Sequence, residues 1–188
     1  MPADALKSAR RFAALGFTLW LLALPSLVGC VSRGRVQDAS PIRADKPFEL
    51  DLIWVKTSSA VPGLVAETRM LNDAIVSGLR ESGLFRAASG DKTELGEGGG
   101  ITIEAEIRDI RKITKNTRLW AGALAGRARV RVRVRISDFN TGKQIETFEA
   151  EGESSGGSAL AGTTDEAIDQ AAGGVVGEVR KINAQTAQ

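Results

Sequence analysis

Histidine is absent from this chain, and cysteine occurs once, at Cys30. Without imidazole the commonest general acid–base group and the commonest metal ligand are both missing. A single thiol excludes a disulfide framework, and no group of carboxylates has metal-ligand spacing. No metal or cofactor is expected, and nothing singles out a serine–lysine dyad, so the chain is not expected to be an enzyme. Aromatic residues make up 5% of the sequence. None lies in its most strongly patterned strand, which excludes the base-stacking sheet of ribonucleoprotein-like domains. No internal repeat is visible.

Surplus charge is lacking too. The whole chain carries +2, from 25 Lys+Arg and 23 Asp+Glu, with a pI near 8.9. Residues 1–29 hold Lys7, Arg10, Arg11 and Asp4, so the chain from Cys30 onward carries 22 of each sign and formal charge zero. The basic pI therefore describes a precursor and gives no argument for nucleic acid. The three cations precede an uncharged apolar run, Phe12 to Val28, in the layout of an export signal. A transmembrane span takes about 20 apolar residues, and this run is a little short, with Pro25 and Ser26 interrupting its end.

The tail of that run, Leu27-Val28-Gly29-Cys30, resembles the bacterial lipobox. The resemblance implies a signal peptide over residues 1–29, cleavage before Cys30, and lipidation of Cys30 on sulfur. Cys30 is then the attachment point to the membrane rather than a buried thiol. Lipoproteins of this kind are retained in the inner membrane by an aspartate after the cysteine. Val31 and Ser32 stand there instead, which implies sorting to the outer membrane, facing the periplasm. The surroundings of Arg10-Arg11 match a twin-arginine signal poorly, so general secretory export is expected.

What the chain does have is alternation. From Arg127 to Asp138, arginines at 127, 129, 131, 133 and 135 alternate with Ala128, Val130, Val132, Val134 and Ile136. A period of two predicts a β-strand with one apolar face and one row of guanidinium groups. Phe48 to Val55 and Ile101 to Ile107 read as further strands, the latter continuing toward Ile113. Gln144 to Glu153 is the return strand of a hairpin whose turn is Phe139-Asn140-Thr141-Gly142. Leu84 to Ala88 begins a short edge strand. Residues 30–46 are polar and read as a flexible tether, Ser58 to Gly63 as a loop, and glycine-rich Asp91 to Gly100 as a flexible loop.

Two segments carry helical spacing. Leu64, Thr68, Leu71, Ile75, Leu79 and Ser82 form one stripe, closed by Gly83 as a left-handed C-cap. Ile168, Ala171, Ala172, Val175, Val179 and Ile182 form the other, which begins at Thr163 or Thr164 with Glu166 positioned for a capping box. Gly173, Gly174 and Gly177 weaken this second helix unless close packing requires them. The expected architecture is α+β over residues 47–184: a mostly antiparallel sheet of four to five strands with two amphipathic helices on one face.

Several of these stretches resemble a known family. The helix ending Leu79-Arg80-Glu81-Ser82-Gly83-Leu84-Phe85, the valine-rich alternation, and Asp138-Phe139-Asn140-Thr141-Gly142-Lys143 before a Ser/Gly loop and a last helix resemble bacterial outer-membrane lipoproteins classed as a domain of unknown function of the 4410 type. The likeness spans roughly residues 48 to 182. It implies a fold and no catalytic residue. The helix ending also resembles, over a shorter stretch, the curli secretion lipoprotein and the N-terminal domain of the Tol-system periplasmic protein.

These features support two functional expectations. The first is a membrane-anchored domain that binds another envelope protein or oligomerises. The second is an anion-binding face, with Arg129, Arg131 and Arg133 gripping a phosphate- or carboxylate-bearing polymer or lipid. Against the second, Glu149, Glu151, Glu153, Glu104 and Glu106 are placed to turn the arginine row into a ladder of cross-strand pairs. The apolar segment Leu119 to Gly126 either presents a patch around Trp120 to a partner or folds back over the core.

Overall fold

The valine–arginine alternation forms the middle of a sheet. The computed structural model describes residues 35–41, 51–113, 126–155 and 163–186, with Asn116 and Trp120 between them. Cys30 and residues 1–29, expected to be a signal peptide, lie outside those residues, as do Phe48 and Leu50. In chain order the elements are β1 (Arg35–Pro41), β2 (Leu52–Ser59), α1 (Val65–Glu81), β3 (Ala87–Ser89), a 3-10 turn (Lys92–Glu94), β4 (Gly100–Arg111), β5 (Arg129–Asp138), β6 (Gln144–Glu153) and α2 (Thr164–Thr186). The sheet order is β1-β6-β5-β4-β2-β3.

An α+β fold with two helices is what the patterns predict, but the sheet differs in two respects. It has six strands rather than four to five, and it is mixed rather than mostly antiparallel. β1, β6, β5 and β4 are joined antiparallel, while β2 is parallel to both β4 and β3. Parallel neighbours need a crossover, which α1 supplies between β2 and β3 and the loop with the 3-10 turn supplies between β3 and β4. The pairing with β4 also carries β2 on through Ser58 and Ser59, opposite Glu106 and Ile107, where the residues alone predict a loop. The sixth strand is β1, inside the segment read as a tether. Its backbone groups satisfy the outer edge of β6 although its composition carries no strand pattern.

One face of the sheet is the core. Val130, Val132, Val134 and Ile136 are fully buried and stand opposite Ile110, Ile107, Ala105 and Ile103 of β4. Over them lie Leu71, Ile75 and Leu79 of α1 and Ile168, Ala171, Val175 and Val179 of α2, all without solvent exposure. The helices also pack on each other, where a Cβ on Gly78 would stand 3.0 Å from Val176 Cγ2.

Two of the three glycines of α2 are not close-approach residues. A Cβ at Gly173 or Gly177 would meet nothing within 4 Å, whereas one at Gly152 of β6 would collide with the α2 backbone at Ala167 and Ala171. α2 thus crosses the sheet at Gly152. Its first residue is fixed by Thr164, whose hydroxyl accepts from the Ile113 N–H at 2.9 Å. Just past α1 and its cap residue Ser82, Gly83 takes the left-handed φ of +64° that its sequence predicts. The apolar side chain that follows it into the core is Phe85, while Leu84 remains 47% exposed.

Candidate functional site

The opposite face of the sheet carries the charge. Because β5 alternates, each buried valine is followed by an arginine on this side, and the register brings a carboxylate beside nearly every one. Arg129, Arg131 and Arg133 stand opposite Glu153, Glu151 and Glu149 of β6, and Arg133 and Arg135 stand opposite Glu106 and Glu104 of β4. Ion pairs follow that register. Arg127 reaches Glu153 at 3.3 Å, Arg129 reaches Glu151 at 3.3 Å and Glu153 at 3.8 Å, and Arg131 reaches Glu151 at 3.6 Å. Arg133 lies 3.6 Å from Glu149, and Arg135 lies 3.9 Å from Glu104.

The three arginines predicted as an anion-binding face therefore come together, as one column of positive charge on β5 between two columns of negative charge on β4 and β6. Their side chains keep 40–48% of their surface exposed. Pairs this exposed contribute about 0.2–1 kcal/mol each. They fix register and leave the face electrically closed.

A second cluster occupies the β2–β3 end of the same face. Leu52 is fully buried and Leu95 is 5% exposed, so the loop after β3 folds down on the sheet. The glycine-rich stretch read as flexible is thus an ordered cover. Its 3-10 turn is capped by Asp91, whose carboxylate accepts from the Thr93 N–H at 2.9 Å and the Thr93 hydroxyl at 2.8 Å. These bonds hold the Asp91 carboxyl below the usual range. Beside the cover stand Trp54 and Phe139, with ring centroids 6.4 Å apart and planes at 77°.

The hairpin turn that carries Phe139 is held by Asp138. Its Oδ1 accepts from Thr141 N and Thr141 Oγ1 at 2.7 Å each and from Asn140 N at 3.1 Å. Donation by the Thr141 N–H, and then by its hydroxyl, lowers the Asp138 carboxyl. Gly142 supplies the φ of +68° that closes the turn.

One ionisable cluster lies on the core side. Glu146 is in phase with Phe148 and Ala150, opposite Ile136 of β5 and Pro41 of β1, and is only 5% exposed. No hydrogen-bond donor reaches its carboxylate among the described residues. Burial raises its pKa, the Glu178 charge raises it further, and Lys181 opposes both. Glu178, a residue of α2, is itself buried, with its carboxylate 2.6 Å from Lys181 Nζ. In the sequence Glu146 is one of four glutamates along β6, with Glu149, Glu151 and Glu153. The signal that separates it is phase, since it falls on the apolar beat of β6, as Glu178 falls beside Val175, Val179 and Ile182 on α2.

Trp120 is 90% exposed, while its apolar neighbours in that segment lie outside the described residues. Among the described residues no three His, Cys, Asp or Glu side chains are grouped to hold a metal. No helix among them is long and apolar enough to cross a membrane.

The model of a family described as a domain of unknown function (DUF4410) matches residues 56–158. No curated protein matches the chain. Among solved structures the fold is similar to PelC from Paraburkholderia phytofirmans, described as a dodecamer. That match has a TM-score of 0.50 at 13% identity and covers 80% of this chain and 96% of that one. A point variant of the same dodecamer gives 0.51 at 14% identity, covering 76% and 95%. A Xanthomonas campestris protein of the DUF330 family gives 0.52 at 16% identity, covering 79% and 94%.

Proposed function

The chain belongs to the DUF4410 family, and from that premise we propose that it is an outer-membrane lipoprotein. Its periplasmic domain acts by binding other envelope proteins, copies of itself included. Residues 1–29 serve as the signal peptide and Cys30 as the lipidated first residue, on the strength of the lipobox and of the cationic and apolar stretches before it. The observation that carries the binding reading is the layering of the fold. Nearly all of the apolar burial lies between the helices and one side of the sheet, and the other side is a broad charged face left uncovered by any described α-helix. A positive column flanked by two negative ones suits a partner with the opposite pattern, because such complementarity supplies specificity and register more than raw affinity. The likeness to a dodecameric fold supports self-association in particular.

In-cell crosslinking followed by mass identification of the crosslinked species tests this. Recovery of a defined envelope protein or of homo-oligomers is expected, and a chain that stays uncrosslinked and monomeric at the membrane overturns it. For the anchor, Cys30→Ala abolishes fatty-acid labelling and releases the chain into the soluble periplasm. Labelling that survives the substitution refutes the assignment of Cys30.

The second reading, binding of an anionic polymer or lipid, draws on the partial exposure of Arg129, Arg131 and Arg133 and is opposed by their glutamate partners. Replacing all three with glutamine distinguishes the two. Polyanion binding that disappears in the folded variant supports the second reading, retained polyanion binding eliminates it, and crosslinked complexes that persist support the first.

A further inference from the structure

Trp54 and Phe139 form a right-angled corner on the charged side of the sheet, and both walls are anchored. The Trp54 Nε1–H donates to the Gly90 carbonyl at 3.3 Å, and the Phe139 N–H donates to the Gly100 carbonyl at 2.9 Å. Two ammonium groups meet these rings. Lys56 Nζ lies 4.9 Å from the Trp54 centroid, and Lys92 Nζ lies 5.3 Å from Trp54 and 4.8 Å from Phe139.

The two lysines differ in what else holds them. Lys56 is bonded to Glu104 at 2.8 Å. Among the described residues no carboxylate is in ion-pair range of Lys92, so the two rings are its charge-specific partners. An exposed lysine ordinarily turns its ammonium to water, and an ammonium within about 6 Å of a ring centroid is held there by the ring's quadrupole.

We propose that the Trp54–Phe139 corner is a binding site for an organic ammonium group, with Lys92 as its resident, displaceable occupant. Lys92 rides on the short 3-10 turn of the covering loop, so it can leave without disturbing a strand. A quaternary or methylated ammonium is less strongly hydrated than a primary one and competes well for the same two rings. The site depends neither on the lipid anchor nor on association with other envelope proteins.

The test uses the full chain with ¹⁵N-labelled tryptophan, titrated with choline and followed at the Trp54 indole N–H, which Trp54→Phe identifies by its loss. Lys92→Ala is expected to bind choline roughly 5- to 30-fold more tightly than the wild type, the range that two ring contacts of ordinary strength imply. Phe139→Leu, which keeps an apolar side chain in the turn, is expected to lose that gain. 3,3-Dimethylbutanol, the uncharged isostere of choline, is expected not to bind. Equal binding of the isostere, or a Trp54 indole signal unmoved by choline in Lys92→Ala, overturns the proposal. Phosphatidylcholine vesicles and a trimethyl-lysine peptide, applied to the same variant, distinguish a lipid headgroup from a protein side chain as the source of the cation.

Discussion

Glu146 shows how much one residue's phase decides. On the open side of β6 its carboxylate would be one more rung of the ladder. On the core side it faces Ile136, Glu178 and Lys181 with no donor to satisfy it among the described residues. Its pKa is raised by burial first and by Glu178 second, so the folded chain holds that proton more tightly than the unfolded one. The contribution to stability is then fully present below the ordinary carboxylate range and is lost as pH rises through the folded value. Glu146→Gln removes this dependence. Urea unfolding from about pH 4 to about pH 8 should show wild type and variant converging at the acid end. At the alkaline end the variant should be the more stable by about 1 kcal/mol or more. Glu67 and Asp138, whose pKa values are lowered, lose their contributions in the opposite direction, as pH falls. They are common to both proteins and drop out of the difference. A difference that stays flat across the range would mean that the buried carboxyl does not titrate with folding.

At the scale of the element, the patterns reach as far as local spacing reaches. β5, β6 and α1 are legible because period and caps lie within one stretch of sequence. Ser58 and Ser59 are not, because they are strand only by virtue of β4 beside them. The parallel pairing of β2 and the strand nature of polar Arg35–Pro41 likewise depend on segments remote in sequence. The aromatic corner is hidden for the same reason, its two rings coming from β2 and from a turn 85 positions further on. The glycines show the same limit from the other side. Spacing points to Gly173, Gly174 and Gly177 as packing residues, but Gly173 and Gly177 face open space, and the crossing of helix and sheet is at Gly152. Gly152→Ala should cost about 1–3 kcal/mol, toward the upper end because the obstruction is backbone. Gly173→Ala, in open space on α2, should stabilise by up to about 1 kcal/mol. Thermal or urea unfolding of the two single variants checks the contrast, and equal effects would place the crossing elsewhere. The ladder yields a third measurement. A double-mutant cycle on Arg131 and Glu151 should return a coupling of about 0.2–1 kcal/mol that shrinks with added salt.

For the molecule as a whole, the strand inside the expected tether changes the geometry of attachment. Without a strand at Arg35–Pro41, a tether running to residue 46 would have given the domain a long reach. With Arg35 already hydrogen-bonded into the sheet, only residues 31–34 remain between Cys30 and β1, and that many residues span at most about 14 Å. The proposed lipid would hold the β1 edge of the sheet close to the bilayer, and β1 would be both the link to the anchor and the cover of β6. Removing residues 31–41 while keeping Cys30 joined to residue 42 separates these two roles. The lipid attachment survives in such a chain, but the edge of β6 loses its partner and offers a row of unpaired N–H and C=O groups. The unfolding midpoint should fall and the purified chain should associate through β6. A Gly/Ser segment of equal length inserted before Arg35, with β1 intact, should leave both stability and oligomeric state unchanged. Size-exclusion chromatography with light scattering, together with thermal unfolding, reads both variants. If deletion and insertion behave alike, β1 is dispensable to the domain and the segment acts as a spacer after all.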